Sequence, residues 1–175
     1  MGIRYENLDP ITRQLMREES DLGGHYQSPR LSAEGIRLWV DLLNQAIENH
    51  DDDWLADQLR MLACFNDDEE YTRGGVVRLR RINVPHAAQQ LAEGEFNRYY
   101  LRALCRRAEN DNVPELIVYR GKEVAQPRPE SQAKLGTLIE VKVLLPTLRQ
   151  SDFVSIEDSL GVPGGPNSGL TARLP

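Results

Sequence analysis

The sequence predicts an α+β protein, mainly helical, with a small β-sheet and an extended Gly/Pro-rich C-terminal arm. Three observations carry that prediction. Apolar residues recur at helical spacing in four separate stretches, as they do where one helix face meets a core. Shorter stretches, VVRLRRINV and ELIVYR, alternate or run apolar with β-branched residues, as strands do. The last eighteen residues, DSLGVPGGPNSGLTARLP, interleave glycine with proline and offer little apolar surface to offset the entropy of ordering. At 175 residues the chain suits one core with extensions, so residues 1–150 are expected to form one domain and residues 151–175 an arm.

Asp9 before Pro10 is a helix start, with an acceptor at the cap and a proline where no N–H is needed, and Ile11, Leu15 and Met16 give a helix over 10–22. Gly23-Gly24 ends it. Pro29 disfavours helix at Ser28, so the link is extended until Ser32 caps a core helix carrying Ile36, Trp39, Val40, Leu43 and Ile47. Asp51 to Asp53 lie at the start of a third helix, where carboxylates meet the positive end of the macrodipole and Leu55, Leu59 and Leu62 form the stripe. NDDEEYTRGG reads as a loop or mobile excursion. In the following strand Val77 and Leu79 face one way and Arg78 and Arg80 the other, the pattern of a half-buried strand.

The longest helix runs from Asn83-Val84-Pro85 to about residue 109, with Ala88, Ala92, Phe96, Tyr99, Ala103 and Leu104 on one broad face and Gly94 as a point of kinking or close approach. A strand at PELIVYRG follows, then a helical turn from Pro129 closed by Gly136. TLIEVKVLLPTLR alternates at first and then clusters leucine, which predicts a strand followed by a short helix with Pro146 in its first turn.

Composition excludes several functions. A net charge of −6 opposes a dedicated duplex-DNA binder, because neutralising phosphates needs a basic surface. No apolar run reaches the ~20 residues of a bilayer span, and the start lacks the basic and apolar regions of a secretory signal. Cys64 and Cys105 read as buried thiols in apolar helix faces, without a disulfide framework. The histidines, His25, His50 and His86, fall outside zinc spacing, the Asp51–Asp53 run lacks the alternating ligands of a calcium loop, and no metal or cofactor is expected. Serine elbows, phosphate loops and dinucleotide glycine patterns are absent.

One enzyme-like pattern remains. Pro114-Glu115 followed by Glu140-Val141-Lys142 matches the loose acid, then Glu-x-Lys, arrangement of a nuclease superfamily, in which two carboxylates hold Mg²⁺ and the lysine steadies developing phosphate charge. Glu140 and Lys142 read equally as a solvated surface pair. Only three of the 21 basic residues are lysine, and Arg78, Arg80, Arg102 and Arg106 are candidate interface arginines. In the tail Leu160, Val162, Pro163, Pro166, Leu170, Arg173 and Leu174 are expected to anchor on a partner, because a segment unable to order alone needs one.

Three stretches in chain order, AEGEFNRYYLRALCRRA from residue 92, VYRGKEVAQPRPES from residue 118 and LGVPGGPNSGLTARLP at the end, resemble uncharacterised proteins of tailed bacteriophages and prophages. The resemblance implies a phage context: a non-enzymatic head or capsid accessory protein that docks through its arm on the major capsid protein or on copies of itself. Its expected location is the host cytoplasm during assembly and then the virion. The alternatives are a Mg²⁺-dependent nuclease using Glu115, Glu140 and Lys142, and a small regulator that binds a host protein through the acidic segment Asn66 to Glu70.

Overall fold

Each long helix begins on a side chain that accepts a hydrogen bond from an otherwise orphaned amide. In the computed structural model, which describes residues 2–150, 156–160 and 169–175, Asp9 accepts from the Thr12 amide, Ser32 from Gly35, Asp51 from Trp54 and Asn83 from His86. The helices that follow are α1 (Pro10–Asp21), α2 (Ala33–Asn49), α3 (Asp52–Met61) and α4 (Val84–Asn110). Between α3 and α4 stand β1 (Asp68–Arg73) and β2 (Val76–Arg81). After α4 come β3 (Glu115–Arg120), α5 (Pro129–Gln132), β4 (Leu138–Glu140), α6 (Val141–Leu148), α7 (Ile156–Ser159) and β5 (Leu170–Arg173). The protein is mixed α+β and mainly helical.

Helix α4 is the axis of the fold, with α1, α3 and α6 packed around it. Its buried positions include Phe96, Tyr99 and Leu104 but also Glu95, Asn97, Arg98 and Arg102, so it is enclosed on most sides rather than on one broad face, and it continues through Gly94. On α2 the core face centres on Trp39, Leu42, Leu43, Ala46 and Ile47, which leaves Ile36 exposed; Ile11 and Leu62 are exposed likewise. Residues 138–148 form a strand and then a helix, as the sequence predicts, with Pro146 in the second turn instead of the first.

Two sequence expectations fail at the hairpin. NDDEEYTRGG is not a loop: its residues 68–73 are strand β1, paired antiparallel with β2 from Asp68↔Arg81 to Arg73↔Val76. Acidic residues are poor strand formers alone, but here Asp68 and Glu69 lie opposite Arg81 and Arg80, and Gly74-Gly75 at φ 61° and 77° supply the left-handed pair that a two-residue hairpin turn needs. Nor is β2 half-buried, because all six of its residues are exposed and, among the described residues, no third strand joins this two-stranded sheet.

The chain's end is the third correction. β5 pairs antiparallel with β3 in the order β4-β3-β5, Leu170 and Ala172 are buried, and α7 buries Ile156. Buried Asn97 on α4 donates to the Leu170 carbonyl at 3.0 Å and accepts from the Thr171 hydroxyl at 2.7 Å, which gives this short strand fixed polar partners. The N-terminal segment lies beside it: the Leu174 amide donates to Asn7, Arg173 pairs with Glu6, and the Arg4 amide donates to the Gly121 carbonyl. Where it is described, the tail is thus fastened to its own domain.

Candidate functional site

Among the described residues, strand β2 gathers three exposed large apolar side chains in one element of six residues. Val76, Val77 and Leu79 are 55%, 60% and 69% exposed, whereas β-branched and leucine side chains in a strand ordinarily have a covered face. Side chains alternate, so Val77, Leu79 and Arg81 share one face of the ribbon with Asp68, Glu70 and Thr72 of β1. On the opposite face only Glu69 and Tyr71 are half-buried, held by Arg30 and Arg80, whose guanidinium also lies 5.3 Å over the Tyr71 ring. The hydrogen bond from Arg30, with that from Arg80, lowers the pKa of Glu69. The acidic segment 66–70 is therefore mostly the first strand of this ribbon, anchored at its base.

The four candidate interface arginines divide between surface and core. Arg78 and Arg80 are exposed on β2. Arg102 is buried and donates to the Glu19 carboxylate at 2.9 Å and to the Glu19 carbonyl at 3.1 Å, and Arg106 reaches Glu18 at 2.8 Å and Glu19 at 3.6 Å. Arg149 closes the cluster with a 2.5 Å contact to Glu19. Burial pushes the Glu19 pKa up, but hydrogen bonds from Arg149 and Arg102 outweigh it and hold the group below the ordinary glutamate value. Arg98 is enclosed in the same way, donating to Glu95 and to the carbonyls of Gly24, Leu148 and Gln150. Arg102 and Arg106 thus join α1 to α4 and are removed from the interface set.

Of the tail anchors, Leu170 is 1% exposed in the sheet, and Leu160 and Leu174 pack against the core. Arg173 pairs with Glu6. These four fasten the chain to itself, because β3 offers a free edge closer than any neighbour could. Val162, Pro163 and Pro166 lie outside the described residues.

The nuclease-like trio does converge in part. Glu115 and Glu140 are direct partners across β3 and β4, and Lys142 lies in the first turn of α6. Glu140 and Lys142 are exposed and Glu115 half-exposed, so the carboxylates lie at a solvent-facing edge. Among the described residues no group of three Asp, Glu, His or Cys side chains is placed to hold a metal ion. The thiols carry no visible chemistry either: both are free and buried, and burial pushes Cys105 up to about 12.

A second site lies at the start of α3. A cleft of about 550 Å³ is lined by Ile3, Arg4, Arg120, Lys122 and Asp51 to Asp53. In it Asp52 is 1% exposed, its Oδ2 accepts from the Ile3 amide at 3.0 Å, and its Oδ1 has no partner. Burial raises its pKa to about 7, and Glu93 adds to the effect. The three consecutive aspartates gave the only signal, and helical geometry turns the second of them inward while its neighbours stay at the rim.

Compared with family models, curated proteins and solved structures, the chain matches none.

Proposed function

We propose that this chain is a non-enzymatic structural protein that docks on its neighbours in a larger assembly through the β1–β2 hairpin. The observation that carries the reading is the exposure of all six β2 residues, three of them large and apolar, on a ribbon of two strands. Such a ribbon is marginally stable in water, and among the described residues both its edges are unpaired, a condition that proteins ordinarily cover or blunt. With the phage resemblance, the assembly is a tailed-phage head, and the partners are other virion proteins or copies of this chain. Docking thus moves from the C-terminal tail to the hairpin.

The test is mass spectrometry of purified particles made with the wild-type chain or with the double substitution Val77→Ser and Leu79→Ser. The expected result is the wild-type chain present at stoichiometric level and the variant depleted, with unchanged thermal unfolding. Absence of the wild-type chain, or undiminished incorporation of the variant, overturns the proposal.

A second reading, a Mg²⁺-dependent nuclease, is favoured by the Glu115–Glu140 pairing. Glu140→Ala would then abolish a Mg²⁺-dependent cleavage of DNA; no cleavage by the wild-type chain, or cleavage unaffected by the substitution, removes it.

A further inference from the structure

Among the described residues both long edges of the ribbon are without a neighbouring strand, and they carry opposite charge. β1 carries the exposed carboxylates Asp68 and Glu70, with Glu69 held by Arg30 and Arg80, and β2 carries the exposed guanidinium groups Arg78, Arg80 and Arg81. We infer that the neighbour on the β2 edge is the β1 edge of a second copy of this chain, joined head to tail. The inference rests on the docking role assigned to the hairpin and names its occupant.

Charge selects this pairing over the alternatives. Joining two β2 edges sets three arginines against the same three, and joining two β1 edges sets carboxylate against carboxylate; like charges placed opposite are destabilising. Unlike edges place guanidinium beside carboxylate, which steers the encounter and fixes the register, while main-chain hydrogen bonds across the new strand pair hold it.

Size then selects the direction. β2 runs from the hairpin tip to its base and β1 from base to tip. If the two strands ran antiparallel, both domains would sit at one end of the joined ribbons, displaced by two strand spacings of about 4.8 Å. A chain of this length has a radius of gyration of roughly 16 Å, so the domains would overlap. Run parallel, the ribbons point opposite ways and the domains lie at opposite ends. This arrangement turns the second ribbon over, so that its Asp68 and Glu70 face lies on the same side as Arg78 and Arg80 of the first. A single register then sets Arg78 beside the partner's Asp68 and Arg80 beside the partner's Glu70. The apolar side chains gain cover at the same time, because Leu79 faces the second copy from the other side of the sheet. A contact between unlike edges does not use itself up: each copy keeps one free edge, and the contact closes into a ring or repeats.

Two variants of the full-length chain test this. One reverses the acidic edge (Asp68→Lys with Glu70→Lys), the other the basic edge (Arg78→Glu with Arg80→Glu); all four positions are exposed, and circular dichroism checks that each variant is folded. Mass is measured by light scattering at low salt. The wild-type chain is expected to show species of two or more chains that dissociate as salt is raised. Each variant alone is expected to be monomeric, and an equimolar mixture to regain association. A wild-type chain that stays monomeric at every concentration overturns the self-pairing, as does either variant that still associates alone. A monomeric chain whose incorporation into particles still depends on Val77 and Leu79 would overturn only this inference and leave the docking role standing.

Discussion

Asp52 and Glu19 are both buried carboxylates, and their surroundings drive them in opposite directions. Asp52 has one amide donor and an orphaned oxygen, so desolvation prevails and its pKa rises to about 7, whereas Glu19 is gripped by arginines and its pKa falls. A carboxylate that binds its proton more tightly when folded stabilises the fold in its protonated form. Its contribution is therefore complete below the unfolded value near 4 and is lost as pH rises through about 7. A shift of this size corresponds to on the order of 4 kcal/mol. Asp52→Asn is expected to flatten the fall in stability between pH 5 and pH 8 and to raise stability at pH 8, read by urea unfolding at both values. An unchanged slope would mean that the carboxylate is charged in the fold. Glu19 works the other way, since its depressed pKa gives stability that is present above the ordinary glutamate value and lost in acid. Glu19→Gln leaves Arg102 without its buried counter-charge and is expected to cost about 3 kcal/mol or more at neutral pH. A loss below about 1 kcal/mol by urea unfolding would place the arginines' support in the neighbouring carbonyls and Glu18 instead.

The elements differ in how much of their reason lies in their own residues. Capping aspartate, serine and asparagine and apolar stripes are local signals, so α1 to α4 were legible nearly to their ends. β1 was not, because three acids, a tyrosine, a threonine and an arginine become a strand only beside β2 and its arginines. β5 was hidden for a related reason: Leu-Thr-Ala-Arg has little strand character, and its order comes from β3 beside it and Asn97 across it, far away in the chain. Without those distant partners, the tail's own residues point only to a partner-seeking arm. Leu170→Asp tests the correction, since a charge at a buried core position without a partner is expected to cost about 3–5 kcal/mol and lower the cooperative unfolding temperature of the whole chain. A partner-binding leucine would leave unfolding unchanged and affect association alone. Gly35 makes a comparable point inside a legible helix. A Cβ there would collide with the Cys64 carbonyl, which accepts from the Ser32 amide, so the start of α2 can approach the end of α3 only as glycine.

Across the whole molecule, stability and exposure lie in different parts. The buried apolar side chains cluster around α4 and the three-stranded sheet, and none of them comes from β1 or β2. The ribbon meets the body at its base through the Arg30–Glu69 pair, and a hydrogen bond from the Ile82 amide to the Asp67 carbonyl at 2.8 Å closes that base. That hydrogen bond brings residues 67 and 82 side by side, so a two-glycine linker can replace residues 68–81 without moving either end. The body loses one half-exposed ion pair, worth at most about 1 kcal/mol, and no buried apolar side chain. Closing a shorter loop slightly favours the folded state, since the entropy of closure grows with loop length. The shortened chain is therefore expected to unfold within a few degrees of the parent in a thermal melt while losing all association. This outcome is specific to a docking element. A hairpin that served the core would take the melting temperature down with it, and one that served neither would leave association intact. The sequence shows the arginines and valines of the ribbon, but their exposure follows from the absence of a third strand among the described residues, which depends on where every other element has packed.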